Sequence, residues 1–287
     1  MNTDPGLLTP ERVSRLDDLI AEAGQILETA IETHVYADRR TVAAICCLFS
    51  GGNDSTVLTH LFRNRADYAV HINTGIGIEQ TRQYVRDTCI AFGLPLIEEH
   101  PPPGSTYREI VLDRGFPGPA HHWKMYTRLK ERGLEKVRTR LVPNPYRQRV
   151  VFLAGRRRDE SHRRAAVPEQ GRKRSMVWVS PLVNWTKLDI NTYRLLHDLP
   201  RNEVSDLLHM SGECLCGAFA KKGELDEIGD WFPDVRKQIE ELQEEVRAAG
   251  HLEQRCQWGW GAYRDGGPRS KSGLMCSTCE WAADARQ

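Results

Sequence analysis

Six consecutive residues, Ser50-Gly51-Gly52-Asn53-Asp54-Ser55, combine the groups that hold an anion. The two glycines let the backbone turn sharply and approach a ligand closely. Ser50 and Ser55 bring hydroxyl donors, and Asp54 brings a carboxylate that could orient a phosphate or bind Mg²⁺. If a helix begins here, its unpaired N–H groups and positive dipole end face the same turn. Phosphate or pyrophosphate is the chemistry such a cradle suits. The lysine of a G-x-x-x-x-G-K-[ST] loop is absent. A second set of reactive residues is thiol-based. Of eight cysteines, Cys214 and Cys216 form a C-x-C, Cys276 and Cys279 a C-x-x-C, and Cys256 stands between them. Two close pairs far apart in sequence can assemble a four-thiolate site for a [4Fe–4S] cluster or a zinc ion, and spacing does not choose between them. Cys46, Cys47 and Cys89 lie in apolar stretches and read as core thiols. The arginine runs 156–158 and 172–174 could touch nucleic acid, but no interleaved aromatics or reader motif accompany them.

The elements that must position these groups follow from periodicity. Thr9-Pro10-Glu11 predicts a helix start, with Thr9 as N-cap and Pro10 in the first turn. Val13, Leu16, Ile20, Ala23, Leu27 and Ile31 then recur at helical spacing. Residues 42–49 are continuously apolar, as a buried parallel strand is. A helix follows from about Asp54, with Val57, Leu58, Leu61 and Phe62 inward. Strands are expected at 68–73, 95–98 and 150–154, and a helix at 79–92 stopped by Gly93. Thr186 and Asp189 form a capping box opening a helix to about His197, and Pro233–Ala249 reads as one more amphipathic helix. His121 and His122, adjacent on a helix, are expected at the surface. This strand–helix rhythm predicts an α/β fold with a doubly wound parallel sheet, whose ligands bind beyond the carboxyl ends of the strands. The expected division is an N-terminal helix (1–36), a nucleotide-binding domain (37–205) and a small Cys-rich C-terminal module (206–287).

The segment LFSGGNDSTVL resembles the SGGxDS signature of PP-loop enzymes, and three further segments follow in the order of the phosphoadenosine phosphosulfate (PAPS) reductase superfamily. INTGIGIEQTRQYV (72–85) is similar to its "DTG…PET…Y" segment, with Asn73 in place of Asp. LAGRRRDESHRRA (153–165) resembles its "G-x-R-x-x-E-S-x-x-R" loop. SPLVNWTKLDINTYRLLHDLP (180–200) resembles its closing "P-L-x-x-W-T-x-x-D" segment, where Trp185 and Tyr193 read as packing residues. The resemblance covers about residues 40–220 and implies an adenine nucleotide alpha-hydrolase-like fold. It implies ATP or PAPS held by Ser50–Ser55, by Asn73, Thr74 and Gly75, and by Gly155, Arg156, Glu160, Ser161 and Arg164. Asp54, Ser55 and Arg156 are the implied catalytic groups, with Arg163 a further phosphate or sulfate contact. The resemblance also tilts the thiolate set Cys214, Cys216, Cys276 and Cys279 toward [4Fe–4S], with Cys256 in reserve and zinc as the alternative.

Composition limits the classes. The chain has 287 residues, and 40 basic against 39 acidic residues leave a net charge of +1, so no global pull toward nucleic acid or membrane arises. No apolar run approaches a bilayer span of about 20 residues, and the start lacks a signal pattern; a cytoplasmic protein is expected. Three functions remain. The first is an enzyme that adenylates an acceptor with ATP and Mg²⁺ for sulfur transfer, served by a sulfur donor protein. The second is a thiol-dependent phosphoadenylyl-sulfate reductase that releases sulfite. The third is a nucleotide-binding subunit without turnover. A homo-oligomer is compatible with each. Adenylyl-sulfate reductases carry a tandem Cys-Cys where this chain reads HHWKMYTRLKERGL, and a Glu-Cys-Gly-Leu tail where it reads CSTCEWAADARQ.

Overall fold

The computed structural model describes residues 8–161 and 164–263. It contains a six-stranded sheet in the order β3-β2-β1-β4-β6-β5. The strands are β1 (Thr41–Leu48), β2 (Tyr68–Ile72), β3 (Leu96–Glu99), β4 (Gln148–Leu153), β5 (Gln170–Lys173) and β6 (Met176–Val179). β1 pairs in parallel with β2 and with β4, and β4 in parallel with β6. The last five residues of β1 are all buried, which is why its sequence shows no alternation.

The sheet is mixed rather than wholly parallel, which corrects the expectation. β5 runs antiparallel to β6, through a turn in which Arg174 takes φ +57°. The hairpin escaped the sequence reading because β5 is the polar stretch QGRK and β6 only four residues long. An edge strand with a wet face needs no apolar pattern.

The chain divides into two compact units. The first comprises residues 1–71, 84–97 and 136–202; the second comprises 72–83, 98–135 and 203–287. In the first, α1 (Pro10–Ile31) starts as expected, with the Thr9 hydroxyl accepting from Arg12 N–H. It buries Leu16, Leu19, Ala23, Ile26, Leu27, Ala30 and Ile31 against β-strand residues such as Ile45, Val151 and Val177, and against Trp185 and Tyr193. Both aromatic residues are packing residues. α7 (Lys187–Leu196) carries the Thr186–Asp189 capping box, and Arg15 anchors Asp189 through Nε at 2.9 Å.

The second unit has its own core. α4 (Tyr107–Arg114), α5 (His122–Tyr126), α8 (Glu203–Leu208), α9 (Glu224–Trp231) and α10 (Pro233–Ala248) contribute Ile110, Val111, Met125, Val204, Ile228, Ile239, Leu242 and Val246. His122 belongs to this core instead of the surface: it is buried, its ring 4.9 Å from Phe219. Trp258 and Trp260 close the unit, their indole N–H groups donating to the Leu215 and Phe116 carbonyls at 2.7 and 2.9 Å. No helix among the described residues is long and apolar enough to cross a membrane.

Candidate functional site

The strand order reverses at β1. β2 and β3 lie to one side of it, β4 and β6 to the other. In open α/β sheets the crevice beyond the carboxyl ends of the two strands at such a switch point is where ligands bind. Ser50–Ser55 leave β1 there, and Gly155–Arg164 leave its neighbour β4, where Cys47 is paired with Leu153.

The turn is held by its own hydrogen bonds. Gly51 has φ +80°, and its carbonyl is fixed by Asn202 Nδ2 at 2.9 Å. α2 (Asn53–Phe62) begins at Gly52, which offers no side-chain cap, so the first-turn amides keep their donor capacity for a ligand. The hydroxyls are organised within the loop. Ser55 Oγ donates to Gly52 O at 2.8 Å and accepts from Ser50 N–H at 3.3 Å, and the Ser50 and Ser55 Oγ atoms lie 3.2 Å apart. Thr56 ties the helix to Tyr84 Oη at 3.0 Å.

The loop after β4 lies against this turn. A Cβ at Gly155 would sit 3.1 Å from Asp54 C and O and 3.2 Å from Ser55 N, so only glycine allows the approach without displacement. Asp54 Oδ2 receives Arg157 Nε at 2.8 Å. Sequence reasoning named Arg156 and missed Arg157; the signal available was that an acid at one strand end needs a cation from the adjacent strand end. Arg156 and Arg164 are buried too. Arg164 pairs with Glu160. Burial pushes the Glu160 carboxyl upward, opposed by the Arg164 charge and reinforced by Asp54; burial also lowers the Arg164 guanidinium. The Ser161 carbonyl accepts from Arg164 N–H at 2.8 Å. Arg163 lies outside the described residues.

Asn73, Thr74 and Gly75 belong to the second unit. Asn73 is buried. Its Oδ1 accepts from Gly75 N–H at 3.0 Å and its Nδ2 donates to Glu98 Oε1 at 2.8 Å. Thr74 N–H donates to Glu213 Oε1 at 2.8 Å and Thr74 Oγ1 to Glu213 O at 2.7 Å. Glu213, buried beside the thiol pair, fastens Thr74, and no periodic pattern marks it in the sequence.

Cys214 and Cys216 form one unit of chemistry. The Cys216 thiol donates to Cys214, which holds Cys214 below the usual thiol range and drives Cys216 above it. Their segment is clamped by Tyr107 Oη on the Cys216 carbonyl at 2.9 Å. Cys256 is buried, its Sγ 3.5 Å from the Leu252 carbonyl, and burial raises its thiol. Cys46 and Cys89 are buried core thiols raised to about 12 by burial, and Cys47 is raised further. Cys276 and Cys279 lie outside the described residues. Among the described residues, no group of three or more His, Cys, Asp or Glu side chains is placed to hold a metal ion.

Residues 44–231 match the phosphoadenosine phosphosulfate reductase domain. The chain is similar to the adenosine 5'-phosphosulfate reductase of Mesorhizobium japonicum, 29% identical over 192 residues, which are 65% of this chain and 71% of that protein. It is 36% identical over 84 residues to the adenosine 5'-phosphosulfate reductase of Shouchella clausii, covering 28% of this chain and 35% of that one. Among solved structures it is similar to the phosphoadenylyl-sulfate reductase of Candida auris in a phosphate complex, with 18% identity, a TM-score of 0.47, and coverage of 70% of this chain and 92% of the other. With the family domain matching well over half of its length, the chain belongs to the phosphoadenosine phosphosulfate reductase family.

Proposed function

We propose that this chain is a thiol-dependent sulfonucleotide reductase acting on adenosine 5'-phosphosulfate or its 3'-phosphorylated form. The observation that carries the reading is the N-terminus of α2, left without a side-chain cap at the switch point of the sheet. Its amides, with Ser50 and Ser55, would hold the nucleotide's anionic tail. Arg156, Arg157 and Arg164 would offset charge on the departing phosphate in a partly dry site.

The reaction balances with thiols alone. A thiolate attacks the sulfonate sulfur, an S–S bond forms, and the S–O bond to the nucleotide phosphate breaks, so the nucleoside phosphate leaves. A second thiol attacks the first sulfur, forms a disulfide and expels sulfite. Cys256 is poorly suited to the first attack, since burial keeps it protonated. Cys276 and Cys279 are the remaining candidates in the C-terminal segment.

Adenylation of an acceptor by ATP and Mg²⁺ is the weaker reading. Asp54, the proposed Mg²⁺ ligand, already accepts Arg157 Nε at 2.8 Å, and a guanidinium at that oxygen competes with a metal ion. A nucleotide-binding subunit without turnover would use the same cradle. For the thiolate set, Cys214 and Cys216 are close enough to share a proton and could each ligate one metal or cluster iron. Whichever of Cys276 and Cys279 does not attack would join them as a proposed ligand, with Cys256 in reserve for the fourth place. Either a [4Fe–4S] cluster or a zinc ion would tie the two cysteine pairs together.

The test gives the purified protein each sulfonucleotide with dithiothreitol, and in a parallel arm ATP with Mg²⁺. Sulfite in stoichiometric amount with nucleoside phosphate is expected. Pyrophosphate release without sulfite would move the assignment to adenylation, and binding without either product would leave a non-catalytic subunit.

A further inference from the structure

The second unit contains a cavity of about 360 Å³ that shares no residue with the Ser50–Ser55 turn or the loop after β4. Three segments converge on it. α4 supplies Ile110, Asp113 and Arg114 before the turn Gly115-Phe116-Pro117; the helical stretch through α5 supplies His121, Lys124, Met125 and Arg128; the segment after α10 supplies His251 and Arg255. His121, Lys124, Met125 and Arg128 are three, four and seven residues apart, the spacing of one helix face.

The charge on the lining is one-sided. Four cations, Arg114, Lys124, Arg128 and Arg255, face one carboxylate, Asp113, and Asp113 is engaged by Arg114 at 2.9 Å. Lys124, Arg128 and Arg255 have no carboxylate partner among the described residues; Lys124 Nζ lies 5.7 Å from the Trp123 ring centroid. Cations gathered around a concavity repel one another, and a dianion would relieve that cost. Burial, then Arg255 and Lys124, hold His121 below its ordinary pKa, so the ring can take up a proton when an anion arrives.

The walls are preformed. Phe116 N–H donates to Arg255 O at 2.8 Å, and Arg255 Nη1 donates to Arg114 O at 3.2 Å. His251 Nε2 donates to Leu112 O at 2.8 Å. Gly115, at φ +71°, admits Arg255 so closely that an added Cβ would lie 2.6 Å from the arginine Cβ. Ile110, Phe116 and Met125 are buried apolar residues, which gives the basic cavity an apolar floor. An oxyanion alone would use the cations and leave that floor idle. We infer that this cavity is a second anion site, which takes a small phosphomonoester with an apolar or aromatic body. The phosphate would sit among Lys124, Arg128 and Arg255, and the body on Phe116 and Met125.

The test uses the full chain labelled with ¹³C at the methionine methyls and titrated with phenyl phosphate at constant ionic strength. The Met125 methyl, assigned by Met125→Leu, should move to saturation while that of Met176, in the first unit, stays in place. Inorganic phosphate should need about fivefold more to act, lacking the apolar body. Lys124→Gln with Arg128→Gln should weaken binding about tenfold or more. Arg255→Gln tests the same site from the opposite wall, and an unchanged methyl of Met210, packed against the second unit's core, confirms that each variant is folded. No saturable shift, equal action by inorganic phosphate, or an undiminished shift in both variants would overturn the site. None of these outcomes touches sulfite release, so this inference and the proposed reductase activity fail separately.

Discussion

A buried amide at residue 73 has a local cause. Asn73 donates to the Glu98 carboxylate at 2.8 Å, and an aspartate in its place would set two carboxylates against each other in a buried site. The asparagine that departs from the family pattern is thus the residue its surroundings demand. His122 is perturbed from the other direction. Burial, aided by Lys130, lowers it to about 4. A lowered folded-state pKa contributes stability that is present above the unfolded value near 6.5 and is lost as pH falls toward 4. The loss attributable to this ring is on the order of 3 kcal/mol over that window. Urea unfolding at pH 7 and pH 4 should therefore show a smaller difference for His122→Gln than for the parent chain. An identical difference would show that the ring stays hydrated or charged. The surface expectation for His122 failed because adjacent histidines carry no periodicity, and its neighbour Phe219 lies far along the chain.

At the scale of elements, the contact of the loop after β4 with the start of α2 decides the site. Gly155 stands where any Cβ meets the Asp54 and Ser55 backbone at 3.1–3.2 Å. Gly155→Val should cost about 1–3 kcal/mol in urea unfolding, because backbone rather than flexible side chain must give way. The same change should weaken sulfonucleotide binding about tenfold, by moving the arginines off the turn. Gly171→Ala, with nothing within 4 Å of the added atom, is the control and should alter neither. The elements of this contact were legible in the sequence. The run 42–49, the Gly-Gly turn, and Val57, Leu58 and Phe62 mark a strand, a loop and a helix by composition alone. The partner of Asp54 was not legible, since three successive arginines give no sign of which one pairs with it. The β5–β6 hairpin was equally hidden, its polar edge strand looking like a loop.

At the scale of the whole molecule, residues 72–83 and 98–135 and the segment from residue 203 build a second unit with its own core. Helices in that unit pack on residues distant in sequence, so Tyr107, Cys216, Trp258 and Trp260 find each other only in three dimensions. The paired cysteines announced chemistry by spacing, but the clamp of Tyr107 and the fastening of Thr74 by Glu213 had no pattern to reveal them. Family membership rests on residues 44–231, which take in elements of both units.

The uncapped amides at the start of α2 are the proposed seat of a nucleotide's anionic end. ¹⁵N-resolved NMR of the full chain, titrated with adenosine 5'-phosphosulfate, addresses those amides directly. The Asn53, Asp54 and Ser55 N–H resonances should shift downfield and saturate together, with the Arg157 Nε–H following. Resonances that stay in place while the nucleotide binds elsewhere, or no binding at all, would contradict the account.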